Sequence, residues 1–209
     1  MQIIWHGYNC FSLKGKDITI LIDPHHESLG LKLPKLKADI ILISDSEKYS
    51  NKDAVLGEKI VIDWPGEYEI KDVFLKTINL NEDNQENKMN MIFTIDFEDM
   101  KICHLSDLNQ TLSDKTNEEI GTVDILFLPV GGHNVLNAKK AHEVIEQIDP
   151  KIVIPMHYQI NNLNAELEPV ENFLKEVGEN TVTKIESYKI SKNNLPMDKT
   201  DFIILEPQI

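Results

Sequence analysis

Four large aliphatic residues in a row, Ile40, Ile41, Leu42 and Ile43, run directly into a polar loop, Ser44, Asp45, Ser46, Glu47, Lys48, Tyr49, Ser50 and Asn51. An unbroken apolar run bounded by charge predicts a strand covered on both faces, and α/β proteins build sites just past the carboxyl ends of such strands. Before it, β-rich pieces at Gln2 to Trp5, Cys10 to Leu13 and Ile18 to Ile22 are separated by turn signals, the pattern of a meander. The third piece ends in Asp23-Pro24; Pro24 cannot extend a ladder, so Asp23 is a strand-end carboxylate, either aimed over the sheet or closing an Asx turn. A short helix is expected over Lys52 to Leu56, capped by Asn51 and stopped by Gly57, then a strand over Lys59 to Asp63.

Pro65-Gly66 turns the chain into further β segments, with strands expected at Val73 to Leu80, Asn90 to Phe97 and Met100 to His104. The intervening 81–89 stretch, NEDNQENKM, reads as a solvated loop. The last third has a βα rhythm. Ser113 to Ile120 is a helix with Ser113 as cap and Gly121 as stop, and Val123 to Val130 is an apolar strand. Asn137 starts a helix whose Ala138, Ala141, Val144, Ile145 and Ile148 share one face. Lys151 to Pro155 is a buried strand, Glu166 to Gly178 a helix with Val170, Phe173, Leu174 and Val177 inward, and Val182 to Ile190 and Asp201 to Leu205 are final strands.

Composition narrows the classes. The 209 residues with 41% hydrophobic content suit one α/β domain over 1–209, and nothing resembles a linker. A net charge of −14 and the absence of arginine oppose a nucleic-acid partner, because phosphate recognition favours the planar guanidinium fork. Cys10 and Cys103 are too few for a disulfide framework or a structural zinc site and read as buried thiols. The amino terminus has no basic-then-apolar leader and no segment reaches membrane-spanning length, so no membrane partner and a cytoplasmic location are expected.

Strand ends then deliver polar groups at four places: Asp23, Asp45 with Glu47, His104 with Asp107, and His157. Strands of one sheet finish on a common rim, which favours a shared cleft. His25 and His26 read as loop residues, and His133 as part of the turn after the double glycine.

These residues carry a family resemblance. WHGYNCF, Ile22-Asp23-Pro24, WPGEYEI, CHLSDL, LPVGG and IPMHY, in that order between residue 3 and about residue 160, resemble segments of the metallo-β-lactamase superfamily. The branch they are most similar to is that of small zinc-dependent hydrolases, including ascorbate-6-phosphate lactonase-like proteins. The resemblance implies a four-layer αββα sandwich with a binuclear zinc site at one edge, where a bridging hydroxide attacks an ester, lactone or phosphodiester. Asp107 and His157 match the family's bridging aspartate and last histidine; Asp23 and His6 match positions nearby.

The family's HxHxDH motif should follow the Ile40 strand, and its four ligand positions hold Asp45, Glu47, Tyr49 and Ser50. Glu82 aligns with the next histidine. Oxygen donors thus replace the imidazoles of the first zinc, and the second zinc loses an aspartate and a histidine. Zinc position and affinity are normally set by oriented imidazoles, so a standard dinuclear site and a resident cofactor are not expected. Two readings follow. In one, the chain is a catalytically impaired or inactive homologue acting by binding a small molecule or protein. In the other, Asp45, Glu47, Glu82 and Asp107 with His157 hold one harder cation, manganese, magnesium or calcium, in a non-standard hydrolase. A serine hydrolase using Ser50 or Ser106 with His157 ranks lower, since no GxSxG elbow occurs.

Overall fold

The computed structural model describes residues 1–45, 49, 51–80, 89–179 and 183–209. The expected meander opens the chain: β1 (Gln2–Trp5), β2 (Phe11–Lys14) and β3 (Thr19–Ile22) pair antiparallel. A short strand, β4 (Leu36–Lys37), precedes β5 (Ile40–Leu42), which lies parallel to β3. β6 (Val55–Leu56) pairs with β4, and β7 (Ile60–Ile62) extends the sheet beyond β5.

The second sheet begins as another antiparallel meander, β8 (Gly66–Ile70), β9 (Val73–Asn79), β10 (Met91–Phe97) and β11 (Met100–His104). It continues parallel through β12 (Ile125–Pro129) and β13 (Ile152–Met156), with α1 (Asp114–Ile120) and α2 (Ala138–Ile148) in the connections. After α3 (Val170–Glu176) come β14 (Lys184–Ile185), β15 (Tyr188–Lys189), β16 (Asp201–Phe202) and β17 (Ile204–Leu205). The strand orders are β15-β1-β2-β3-β5-β7 and β16-β13-β12-β11-β10-β9-β8, while β14 pairs with β17.

The two sheets face each other across one apolar core. Phe11 on β2 and Phe127 on β12 bring their ring centroids to 4.3 Å across the interface. Alternation on the first sheet sends Ile20, Ile22, Ile40 and Leu42 into this core. Leu21, Ile41 and Ile43 point the other way, packing with Cys10, Leu31, Leu33, Tyr49 and Leu163. Both faces being covered explains the continuous aliphatic run. This outer layer is built from loops and short turns, whereas α2 buries Ala141, Val144, Ile145 and Ile148 beside the second sheet. The arrangement is the mixed α/β metallo-β-lactamase sandwich with few helices. No helix among the described residues is long and apolar enough to cross a membrane.

Local chemistry sets most boundaries. The Ser113 hydroxyl accepts from the Thr116 amide and the Asn137 side chain from the Lys140 amide, capping α1 and α2. Three expectations differ. Residues Lys52–Ala54 form a single 3₁₀ turn, because the Asn51 side chain donates to the His25 carbonyl instead of capping. The third helix starts at Val170 rather than Glu166, since the Glu168 amide donates to the Gly131 carbonyl and Pro169 holds an extended cap conformation. The tail strand expected over Val182 to Ile190 is split between β14 and β15, which join different sheets; residue 182 lies outside the described residues.

Asp124 ties three separate segments. Its carboxylate accepts from the Lys101 amide at 2.9 Å and from the Lys151 and Lys192 ammonium groups at 2.8 Å each. Burial alone would raise its pKa, but these donors hold it below the ordinary value. His6 is also structural and lies outside the rim set. Its Nδ1 meets the Gln208 carbonyl at 3.0 Å and its Nε2 the Ser12 hydroxyl at 2.8 Å, pinning the carboxyl-terminal tail to β1 and β2. Burial pushes its pKa from 6.5 down to about 4.

Two outcomes follow from these anchors. Asp124→Ala lowers the unfolding free energy by about 1–2 kcal/mol, at the low end for charged hydrogen bonds because both lysines regain water; urea denaturation reads it. Between its unfolded pKa near 6.5 and its folded value near 4, His6 takes a proton in the unfolded chain that the fold refuses, so stability falls as pH drops through that window. His6→Gln therefore loses less stability than wild type from about pH 7 to about pH 4.5, by up to about 3 kcal/mol in urea titrations. Asp23, whose raised pKa gives the opposite slope, is common to both proteins and cancels in the difference.

Candidate functional site

Carboxyl ends of β3, β5, β11 and β13 finish on one rim, joined there by the turn between β1 and β2. The turn contributes Asn9, which is fully buried and sits at the centre of the cluster. Its amide Nδ2 donates to Asp107 Oδ1 at 2.6 Å and lies 3.3 Å from the Tyr49 hydroxyl. Its Oδ1 is 2.8 Å from His157 Nδ1. The neighbouring carboxylate fixes the amide orientation, so Oδ1 accepts and the His157 proton resides on Nδ1. That leaves His157 Nε2, a buried atom with no hydrogen-bond partner among the described residues.

Tyr49 closes the cluster. Its hydroxyl donates in a fork to Asp107, 2.7 Å from Oδ1 and 2.9 Å from Oδ2. His157 Nδ1 lies 3.2 Å from the same Oδ1. Burial, then the Asp107 charge, drives the phenol pKa well above 10, so the hydroxyl stays a donor. The Tyr8 ring packs on the His157 imidazole with centroids 3.8 Å apart. Gly131 makes room, because a Cβ there would run into the His157 carbonyl. Tyr8, Asp23, Ser106 and His157 all have left-handed backbone, with φ of 54°, 45°, 48° and 52°. Such conformations persist only where surrounding structure imposes them, and they gather at sites.

Asp23 lies beside this cluster but is spoken for. Both its oxygens accept from Ser44, Oδ1 from the amide and Oδ2 from the hydroxyl, each at 2.7 Å, which locks the end of β3 to the end of β5. Burial raises its pKa well above the usual carboxylate value despite those bonds. His104 supports from below: Ser106 N–H donates to its Nδ1, and Nε2 donates to the Asn9 carbonyl at 3.0 Å. Burial pushes its pKa down to about 4, so it is a neutral strut. Ser106 Oγ is held 3.1 Å from His104 Nδ1 and is fully buried, so it pairs with His104 rather than His157. His25 lies in a loop, as expected, and is buried there, its Nε2 donating to the His6 carbonyl at 3.0 Å.

Of the residues singled out by sequence, the structure brings Tyr49, Asp107 and His157 into direct contact. Asp45 is half-buried at the start of the loop. Glu47, Ser50 and Glu82 lie outside the described residues. Asn9 was not anticipated; its place in a Gly-Tyr-Asn turn gives no local signal, and its partners are 40, 98 and 148 residues away. Among the described residues no three His, Cys, Asp or Glu side chains converge as a metal-holding set, so the residues described do not fit the family's dinuclear zinc centre.

Comparison with known proteins places the chain. A family model for a beta-lactamase superfamily domain matches residues 2–157. A UPF0173 metal-dependent hydrolase of Thermoplasma acidophilum is 31% identical over 196 residues, covering 78% of this chain and 85% of the relative. A UPF0173 protein of Pyrococcus abyssi is 27% identical over 180 residues, covering 76% and 83%. Among solved structures, a Thermotoga maritima chain assigned to Zn-dependent hydrolases of the metallo-beta-lactamase superfamily superposes with a TM-score of 0.82 at 31% identity, over 98% of each chain. The expectation that no cofactor is resident is corrected by the Thermoplasma relative, named for metal dependence, and the Thermotoga structure, named for zinc. The branch these relatives name is UPF0173. The chain belongs to the metallo-β-lactamase superfamily, within the UPF0173 metal-dependent hydrolase family.

Proposed function

We propose that this chain is a catalytically impaired member of its hydrolase family that acts by binding at the strand-end rim. The observation that carries the reading is the forked hydrogen bond from Tyr49 to both oxygens of Asp107. Water activation by a metal requires carboxylate and imidazole electron pairs directed at the ion. Here the carboxylate faces a phenol and an amide. The relatives' names bring a metal into the reading, but no reaction step is routed through one, because the described residues do not compose the set.

A small molecule or a protein segment is the ligand class this rim suits. Its described polar side chains are fixed by one another on rigid strand ends, the preformed kind of arrangement that favours specific recognition. The second reading, one hard cation held by Asp45, Glu47, Glu82, Asp107 and His157, depends on two carboxylates outside the described residues.

The deciding assay strips the full chain with chelator, reloads it with zinc or manganese, and measures hydrolysis of a nitrophenyl ester, a simple lactone and bis-nitrophenyl phosphate. The expected rate stays within about tenfold of the protein-free blank for each. Turnover more than about a hundredfold above the blank, present with metal and lost with chelator, overturns impairment; its appearance with manganese alone favours the hard-cation site.

A further inference from the structure

We infer that the open edge of the second sheet, β8, takes a basic segment of a partner protein as an added strand, with alternate lysine or arginine side chains set against Glu69 and Glu67. β8 lies three strands from β11, whose end supplies Asp107 to the rim, so what binds there is independent of the impaired-hydrolase reading.

β8 is the last strand of its sheet: β9 pairs with it on one side, and among the described residues no strand pairs with it on the other. Such an edge offers a row of backbone donors and acceptors to an incoming strand. Exposed apolar surface gathers at the same place. Of the six large apolar side chains exposed among the described residues, Leu56, Ile60, Trp64 and Phe74 fall within 56–74, the stretch that carries the edge strands β7 and β8 of the two sheets. Asp39 holds those edges together: its carbonyl accepts from the Ile60 amide at 2.8 Å, and its carboxylate meets Lys71 Nζ at 3.4 Å. A gathering of this kind marks an interaction surface.

Charge decides what fits. The register sets Glu69, Phe74, Asp96 and Lys101 in one row across β8 to β11, and Glu67 beside Lys76 in the next. Both lysines turn away from β8, Lys76 Nζ lying 3.5 Å from Glu119 on α1 and Lys101 Nζ 3.9 Å from Asp96. Glu67 and Glu69 thus line the edge as exposed carboxylates, and a cavity of about 410 Å³ opens beside them around Phe74. A strand added to β8 lies about 4.8 Å farther out, so a lysine or arginine opposite Glu69 pairs with that carboxylate and extends toward the exposed Phe74 ring. Two residues along, a second cation meets Glu67. The residues between them point to the other face, where Tyr68 and Ile70 pack half-buried against the core, and are apolar for that reason.

A second copy of this chain fits poorly. Antiparallel pairing of two β8 strands over their length, with Tyr68 and Ile70 kept inward, sets Glu67 against Glu69 on both sides of the axis, and like charges directly opposite destabilise a sheet. The net charge of −14 adds to that repulsion and draws a basic segment in.

The test is fluorescence anisotropy of a labelled, capped Lys-Val-Lys-Val-Lys-Val peptide with the full-length protein, in about 150 mM salt so that charges beyond about 8 Å are screened. Wild type binds saturably. Glu67→Lys/Glu69→Lys weakens binding at least about tenfold and takes the Glu-Val counterpart instead, whereas Glu143→Lys/Glu146→Lys, the same charge change at exposed positions on α2, leaves it within about twofold. Two peptides methylated on alternate backbone amides distinguish an added strand from a loosely held charged tail: the one whose methyls face β8 weakens at least about tenfold and the other does not. No saturable binding, equal losses from the two charge reversals, or equal effects of the two methylated peptides overturns the inference. So does a dimer in sedimentation that Trp64→Glu breaks, which gives the edge to a second copy. If circular dichroism shows the Glu67→Lys/Glu69→Lys protein unfolded, Glu67→Gln/Glu69→Gln takes its place, with a loss of at least about fivefold expected.

Discussion

A carboxylate at the rim of a two-sheet sandwich cannot be left without donors. Asp107 is 7% exposed, and the fold holds it where strand ends from both sheets meet. In a hydrolase of this architecture the compensation comes from metal ions held by imidazoles. In this chain the described compensation comes from a phenol, a carboxamide and one imidazole Nδ1, all within 3.2 Å. Charge-assisted hydrogen bonds of this kind are short and strong, and losing one leaves a buried anion under-solvated. The rim thus keeps its shape through hydrogen bonds among its own described side chains.

The surrounding structure is arranged so that this cluster stays rigid. Asp23 is bonded twice to Ser44, joining neighbouring strand ends, and His104 carries the Asn9 carbonyl from beneath. Left-handed backbone occurs at Tyr8, Asp23, Ser106 and His157, all four of them buried. These features hold the rim's side chains in one fixed arrangement. Binding that exploits a preformed rim loses little conformational entropy on association.

Much of the fold was legible because its signals are local or periodic. The caps at Ser113 and Asn137 need only the following turn, and the Ile40 run needs only two apolar environments to be a buried strand. Misreadings fell where a distant partner decided the matter. Asn51 turns to the His25 carbonyl instead of capping, and the Glu168 amide is drawn to Gly131, delaying the third helix. His25 shows the same limit in part: its loop position is legible, whereas its burial against the His6 carbonyl is not.

By itself the sequence determined the sandwich and the identity of the side chains at each ligand position, because strand pattern and residue type are written along the chain. It also determined that a tyrosine, Tyr49, follows the Ile40 strand in that polar loop. Only the tertiary structure decided what that tyrosine does, since Asp107 lies 58 residues away and the bridging Asn9 a further 40 before it. Hydrogen-bond partners separated by such lengths are chosen by the packing of the two sheets, and no local pattern along the chain encodes that choice.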